Sequence, residues 1–328
     1  MNEYKNVWIY AQVQQGKLSP TAYELLTAGR KLADALGEKL VAVLVGYEVS
    51  RFAQDLIEHG ADLVYVCEDR ALENYLDDVY AKVLTDLVHT YKPNKFLLPA
   101  TNQGRALSAK TAVFVGTGLT ADATEVTIHT EDGQLYATRP TFGGNLMATI
   151  TCAHTRPEMC SLRPMSYEKA PRMEGRKGEI ISFPYQADKH TSLAKFLAFI
   201  KTEEDGLDLA EAEVIVAGGR GVGKPEGFAL LKKLADRLGG AVAASRAPVD
   251  SGWIDYRYQI GLTGRTVKPK LYIACGISGQ IQHMAGMSGS DVIVAINKDP
   301  NAPIMKVAHY AVEGDLYEVI PSMLETLK

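Results

Sequence analysis

Cysteine is scarce in this chain of 328 residues, with four in all: Cys67, Cys152, Cys160 and Cys275. No two form a C-x-x-C pair, and Cys67 and Cys275 sit in or at the ends of apolar strands. They read as buried, inert thiols rather than as a disulfide framework or a metal site. Long apolar runs are missing too. No stretch of about 18 apolar residues occurs, so no membrane-spanning helix and no membrane insertion is expected. An excess of basic charge is absent: 35 Lys and Arg stand against 39 Asp and Glu, a net charge of −4. That leaves no electrostatic footprint for nucleic acid. The opening Met1-Asn2-Glu3-Tyr4-Lys5-Asn6-Val7-Trp8-Ile9 lacks the basic and apolar regions of a signal peptide and the arginines of a transit sequence, which reads as a cytoplasmic protein. There is no G-x-S-x-G elbow and no H-E-x-x-H helix, so no catalytic nucleophile and no metal ligand is assigned.

What is present is an ordinary globular composition, 46% apolar, at a length that suggests two domains. Up to Thr124, strand and helix patterns alternate. Strands are expected at Val7–Val13, Lys39–Val45, Asp62–Val66 and Lys95–Pro99, and helices at Thr21–Leu36, Ser50–His59, Asn74–Tyr91 and Gln103–Val115. Continuous apolar strands between amphipathic helices imply a parallel sheet covered on both faces. Short strands then follow at Val126–His129, Leu135–Arg139, Leu146–Cys152 and Met159–Arg163. Turn signals at Asp132-Gly133 and Gly143-Gly144 make them an antiparallel extension of the first sheet.

A polar break, Lys201-Thr202-Glu203-Glu204-Asp205-Gly206, preceded by a short amphipathic helix, lies within a boundary region from Ala187 to Glu213. The expected division is a first domain over 1–190, a linker over 191–212 and a second domain over 213–328. In the second domain, strands at 214–217, 241–244, 271–275 and 291–296 alternate with helices at 226–238, 280–286 and 315–327. The fold class is α/β, with two doubly wound parallel-sheet domains.

The second domain carries two strand–glycine–helix units. One is Val214-Ile215-Val216-Ala217-Gly218-Gly219-Arg220-Gly221-Val222-Gly223-Lys224-Pro225. The other is Leu271-Tyr272-Ile273-Ala274-Cys275-Gly276-Ile277-Ser278-Gly279-Gln280-Ile281-Gln282-His283. Such units let backbone N–H groups approach phosphate, and two of them imply an extended nucleotide. Gly218-x-x-x-x-Gly223-Lys224 nearly completes a P-loop, but Pro225 stands where a Mg²⁺-binding hydroxyl is required. Gly219-x-Gly221-x-Gly223 misses the last spacing of the dinucleotide fingerprint. Ser245-Arg246 stands where an acidic residue would bind a ribose 2′-OH, which suits a 2′-phosphate and leaves an NADP-dependent oxidoreductase open. A nucleotide-binding regulatory protein is a non-redox alternative.

Several further segments converge on the C-terminal ends of these strands. They are Gln259-x-Gly261-x-Thr263-Gly264, Ile277-Ser278-Gly279-x-Ile281-Gln282-His283 and Ile296-Asn297-Lys298-Asp299-Pro300. Together with Gly218-Gly219-Arg220-Gly221 and Ser245-Arg246, they closely resemble the alpha subunit of electron transfer flavoprotein, over nearly all of 213–328. The N-terminal half fits that family by architecture and length, as an adenine-nucleotide-hydrolase-like module at a partner interface.

The resemblance implies a heterodimer with a beta subunit, a partner dehydrogenase, and FAD held in a Rossmann-like second domain. Carried over residue by residue, Arg220, Ser245, Ile260, Gly261, Leu262 and Thr263 would line the FAD. So would Ser278, Gly279, Gln280, Ile281, Gln282 and His283, with Asn297, Asp315 and Leu316. Arg246 and Gly264 would lie near the flavin ring. Leu262 departs from the glutamine usual in that motif, which removes a polar side-chain contact. By the same resemblance His283 would donate to the N1 and C2-carbonyl edge, Arg246 would add positive charge, and Thr263 or Ser278 would face N5, with a helix start near Gly279 adding its dipole.

Thr138-Arg139-Pro140-Thr141-Phe142-Gly143-Gly144-Asn145 resembles a segment of the branch found in anaerobic bacteria. In several of its members, NADH reduces a second FAD that splits the electron pair between ferredoxin and the alpha-subunit FAD. Arg139 could then face that second flavin, with Arg163-Pro164 on the same surface.

Overall fold

The computed structural model describes residues 3–141, 146–198, 209 and 212–327. The chain divides into two compact units, Met1–Phe199 and Ile200–Lys328. In the first, the uninterrupted apolar segments Val7–Tyr10, Leu40–Gly46 and Lys95–Pro99 are buried throughout. Such strands need cover on both faces. Alternate residues supply two cores. Ile9, Ala42 and Leu44 pack with Leu25, Leu26 and Leu32 of the helix Thr21–Leu36. Trp8, Val41 and Val43 pack with Leu84 and Leu87 of the helix Asp77–Tyr91.

Seven strands form this sheet, in the order Glu179–Ser182, Leu63–Glu68, Leu40–Gly46, Val7–Tyr10, Lys95–Pro99, Glu158–Leu162, Leu119–Ala123, and every neighbouring pair is parallel. The strands Glu125–Ile128, Leu135–Thr141 and Leu146–Ile150 make a separate antiparallel sheet rather than an extension of the first. The fourth segment expected there, 159–163, is corrected more sharply: Glu158–Leu162 lies inside the parallel sheet.

A buried charge pair explains that placement. Glu158 is in register with Lys95, both side chains are almost fully buried, and they meet at 2.9 Å. Arg156 adds a second cation at 2.8 Å, and the Leu135 N–H donates to the other carboxylate oxygen. Burial lowers the Lys95 pKa from its ordinary value, and Glu158 opposes that shift. The charges therefore sit inside the sheet as a compensated group, since leaving either partner alone there would be costly.

The Gly143-Gly144 turn and the Lys201–Gly206 break lie outside the described residues. The amphipathic helix expected before that break is not found among residues 187–198, where Leu193 and Leu197 are fully exposed. An apolar stripe with nothing to pack on does not hold a short helix in water.

The second unit is a five-stranded parallel sheet in the order Ala241–Ala244, Val214–Gly218, Leu271–Cys275, Val292–Asn297, Tyr310–Glu313. The strand order reverses between Val214–Gly218 and Leu271–Cys275. Ligands of open α/β sheets bind at such a reversal, beyond the carboxyl ends of the strands. The helix expected over 280–286 is a single turn, Ile281–Met284, too short for a substantial dipole. Two short helices, Arg246–Asp250 and Pro303–Val307, were not legible as helices in the sequence.

One acid in the first unit generates a pH prediction. Glu24 is buried on the helix Thr21–Leu36 and accepts the Met165 N–H at 2.6 Å, and burial raises its pKa to about 7. A folded-state pKa above the ordinary carboxylate value means that the native state holds the proton more tightly. Stability therefore falls as pH rises from the carboxylate range through about 7. Glu24→Gln keeps an acceptor for Met165 but cannot ionise. Thermal unfolding of the full chain should show the variant more stable than the parent above neutrality and little different in mild acid. Parallel Tm profiles across that range would show that Glu24 ionises freely in the native state.

Candidate cofactor-binding site

At the reversal in the second sheet, the two glycine loops touch backbone to backbone. The Gly219 N–H donates to the Cys275 carbonyl and the Gly221 N–H to the Gly276 carbonyl, each at 2.9 Å. A Cβ on Gly219 would stand 2.2 Å from the Gly276 oxygen, and one on Gly221 would stand 2.7 Å from the Gly276 Cα. Gly276 itself has φ +60, and a Cβ on it would stand 2.8 Å from the Gly221 Cα. The glycines are thus required by one another. Asn297, at the end of the next strand, extends the clamp: its Nδ2 donates to the Ile277 carbonyl at 2.8 Å, and its Oδ1 accepts the Asp299 N–H at 3.0 Å.

A cavity of about 840 Å³ opens above these loops. That is within the range of cofactor pockets, roughly 300–1,000 Å³. A second seam shapes its far wall. The Leu262 N–H donates to the Gln282 carbonyl at 2.7 Å, and His283 Nδ1 lies 3.1 Å from the Ile260 carbonyl. Gly261, at φ +144, brings the segments close, since a Cβ there would lie 2.8 Å from the Gln282 oxygen.

Twelve of the seventeen residues singled out in the sequence line this one cavity: Arg220, Ser245, Arg246, Ile260, Gly261, Leu262, Thr263, Ser278, Gln280, Gln282, His283 and Asn297. Gly264, Gly279, Ile281, Asp315 and Leu316 are not among its lining residues. Gly264 closes the 259–264 turn, where a Cβ would meet the Gln259 oxygen at 2.3 Å. Gly279, at φ +82, packs against the Ile304 backbone. Asp315 caps the helix Leu316–Thr326 and pairs with Lys298 at 2.8 Å, while Leu316 is buried in the core. The side chain of Leu262 is half-exposed, and its backbone N–H is already committed to Gln282.

Two features were not assigned from the sequence: the place of Asp250 in the wall and the contact of Gln259, a residue of the Gln259–Gly264 motif. Asp250 lines the cavity and pairs with Arg246 at 3.0 Å across the short helix. Their i, i+4 spacing was the available signal, but Pro248 masked the helix, although proline is tolerated in a first turn. Gln259 is buried in the wall, and its Nε2 donates to Thr263 Oγ1 at 3.1 Å, which leaves the threonine O–H to serve as a donor.

His283, which lines the cavity, is contacted through both ring nitrogens. A carbonyl only accepts, so Nδ1 carries the hydrogen that meets the Ile260 oxygen. Nε2 is engaged by the Tyr272 hydroxyl at 3.0 Å. Burial lowers the pKa to about 4, so the ring is neutral at physiological pH.

Comparison with known proteins accords with this geometry. Residues 7–188 match the electron transfer flavoprotein domain, and residues 208–288 match the electron transfer flavoprotein FAD-binding domain. The chain belongs to the electron transfer flavoprotein alpha-subunit family. It is 50% identical over its whole length to an electron transfer flavoprotein subunit alpha from Thermoanaerobacterium thermosaccharolyticum, covering 99% of that protein. It is 47% identical to the subunit alpha of Megasphaera elsdenii, over 99% of this chain and 97% of that one. An acryloyl-CoA reductase electron transfer subunit beta from Anaerotignum propionicum is 42% identical, over all of this chain and 97% of that protein.

The cavity suits a flavin of this family. Arg220 and Arg246 supply cations, Ser245, Thr263 and Ser278 supply hydroxyls, and Ile260, Leu262 and Ile277 supply apolar walls. A P-loop reading fails further here, because Gly223 ends a 3₁₀ turn and the helix starts only at Gly227. An NADP reading weakens as well: Asp250 pairs with Arg246 in the same wall and would repel a 2′-phosphate.

The clamp can be tested against a second glycine. Gly219→Ala forces a Cβ into fixed backbone, which should destabilise the chain by about 3 kcal/mol, the upper end of overpacking costs, and reduce flavin retention. Gly239→Ala, at φ +67 with open space around it, should cost only about 1–2 kcal/mol and leave retention unchanged. Chemical denaturation and flavin content of the two variants check the contrast, and equal behaviour would remove the clamp.

Proposed function

We propose that this chain holds FAD in its second unit, pairs with an electron transfer flavoprotein beta subunit, and carries electrons between dehydrogenases. The observation that carries this reading is the 840 Å³ cavity at the strand-order reversal, lined by twelve of the residues the family resemblance nominates. A bound flavin supplies the one- and two-electron chemistry. The chain supplies the binding walls, the orienting hydrogen bonds and the local charge. Arg220, Ser245 and Asn297 lie on the glycine-loop side of the binding site, and Arg246, Thr263, Ser278 and His283 are the polar groups assigned to the ring. With no nucleophile or acid–base pair assigned, the chain acts as a carrier subunit.

The name of the Anaerotignum relative supports an acyl-CoA-type dehydrogenase as the partner; a hydroxyacid dehydrogenase is the alternative. Electron bifurcation with NADH and ferredoxin is the finer form of the proposal. It draws on Arg139, on the strand Leu135–Thr141, since Phe142 to Asn145 lie outside the described residues. Arg163 gives it no support, because its guanidinium is held by both oxygens of Asp122 at 3.2 and 2.7 Å.

Co-expression with the beta subunit, followed by a visible spectrum and a flavin count, tests the proposal. Flavin bands are expected, and a colourless, stable complex would overturn it in favour of a nucleotide-binding regulatory role. One FAD with no NADH oxidation would exclude bifurcation, whereas two flavins with NADH-dependent ferredoxin reduction would support it.

Thr263 offers a finer test. A hydrogen bond to a charged group contributes about 1.5–3 kcal/mol, and about 1.4 kcal/mol corresponds to 59 mV for one electron. Thr263→Ala should therefore lower the first-electron potential by roughly 60–130 mV. Thr263→Ser should restore most of the loss, and an unchanged potential in an FAD-replete Thr263→Ala protein would remove the hydroxyl from this role.

A further inference from the structure

The described part of the first unit ends in a short strap that is fastened by a histidine. After the edge strand Glu179–Ser182, the Phe183 N–H donates to the Val66 carbonyl at 2.8 Å and the Phe183 side chain enters the core. A turn follows, and it ends at His190, whose side chain is 1% exposed and lies against the helix Asp77–Tyr91. Beyond it, Leu193 and Leu197 are fully exposed.

The hydrogen bonds fix the state of this ring. The Gln186 N–H meets His190 Nδ1 at 3.1 Å, and a backbone N–H can only donate, so Nδ1 holds a lone pair. The neutral ring therefore carries its hydrogen on Nε2, which meets Asp86 Oδ2 at 3.1 Å. The backbone of His190 closes the turn. Its N–H donates to the Gln186 carbonyl at 2.9 Å, and its carbonyl accepts the Tyr185 hydroxyl at 3.0 Å. Lys82, one turn before Asp86 on the same helix, donates to the Thr191 carbonyl at 2.5 Å.

We infer that His190 is a proton-operated latch: as the neutral Nε2–H tautomer it fastens residues 186–191 to the helix Asp77–Tyr91, and a proton on Nδ1 unfastens the turn. A second proton can go only to Nδ1, where it would stand donor to donor against the Gln186 N–H. That amide would lose its acceptor, and the turn would lose the bond that ties it to the ring. The imidazolium would still be attracted to Asp86, so protonation breaks the turn side of the latch and spares the helix side.

The other groups around the ring fit this division. Of the residues bordering the adjoining cavity of about 350 Å³, Lys82, Asp86 and Lys189 are charged, and the helix Asn102–Val115 contributes the apolar Phe114. Asp188 precedes Lys189 in the turn itself. The Tyr185 ring lies 5.1 Å from the imidazole, and burial raises its pKa, so it is uncharged. Asp86 is thus the one carboxylate bonded to the ring. Unfastening adds residues 186–191 to the exposed stretch that follows, about 20 Å of extended chain.

The test uses the full chain, labelled with ¹⁵N and with His190 assigned through its backbone. At neutral pH, Nε2 should carry the proton and Nδ1 none, and a ring protonated on Nδ1 there would overturn the inference. Amide exchange, corrected for the intrinsic rate, should show the protection of Gln186 falling about tenfold or more between about pH 8 and pH 5, the range in which imidazoles charge, in step with the ring nitrogen shifts. His190→Asn offers an oxygen near the place of Nδ1 and takes up no proton, so its Gln186 protection should hold across that range. Protection in the parent that ignores pH, or that His190→Asn loses as steeply as the parent, would overturn the latch. Asp86→Asn keeps an acceptor for the Nε2 hydrogen and removes the counter-charge, so the release should move to lower pH; a release at unchanged or higher pH would count against the inference. If His190→Asn does not fold, the parent tautomer and Asp86→Asn decide.

Discussion

The second unit depends on two stretches of backbone that come closer than any side chain permits. Gly219 and Gly221 lie against Gly276, with two N–H···O=C bonds between them, at the point where the strand order reverses. This contact joins the ends of two neighbouring strands into one floor, from which the cavity rises. It also changes what the glycines are for. In phosphate-binding loops, glycine lets free N–H groups meet an anion. Here the N–H groups of Gly219 and Gly221 are spent on the facing loop, so ligand recognition passes to the loops around the floor. Those are the Ser245–Ser251 turn and the Gln259–Thr263 segment, and both border the cavity.

The polar chemistry of those walls is organised in two layers. Thr263 and His283 line the cavity, and each is set by a buried residue behind or beside it: Gln259 for Thr263 and Tyr272 for His283. The glutamine occupies the threonine oxygen as an acceptor and so leaves its O–H to donate. The tyrosine hydroxyl lies 3.0 Å from the histidine's Nε2. Arg220 and Arg246 bring positive charge to the cavity. Arg246 meets Asp250 only in an exposed ion pair, an interaction of small value that a ligand can displace cheaply.

The parts legible in the sequence are those governed by period and by local signals. Thr21–Leu36, Lys95–Pro99, Ala241–Ala244 and Leu271–Cys275 stand where apolar spacing puts them. The cavity residues at strand ends were legible as well, because a parallel sheet exposes its loops on one edge. What stayed hidden depended on distant partners. Glu158–Leu162 begins with an acid and contains a serine, and so imitates a half-exposed strand; Lys95 and Arg156 are what let it enter the sheet. Arg246–Asp250 was obscured by Pro248, and Glu179–Ser182 is a short, mostly exposed edge strand. The contact of His283 with Tyr272 could not be read from its own motif, since Tyr272 lies in the middle of an apolar strand and looks like core.

The first unit shows why a similar sheet does not by itself make a similar site. Its strand order also reverses, between Val7–Tyr10 and Lys95–Pro99. There the carboxyl ends are closed by the protein's own side chains. Gln12 is buried and donates to Gln103 Oε1 at 2.8 Å, and the Thr101 hydroxyl donates to Gln12 Oε1 at 2.7 Å. Thr101 also caps the helix Asn102–Val115 by accepting the Gly104 N–H at 3.0 Å, and Gly104 sits so tightly on Pro99 that a Cβ would lie 2.0 Å from its oxygen. The helix N-terminus that could have met an anion is thus answered internally by a threonine, itself tied to two mutually bonded amides. In the second unit the same position carries glycines that satisfy one another below the cavity and leave the space above them open. The difference between a filled reversal and an open one lies in a few side chains rather than in the sheet.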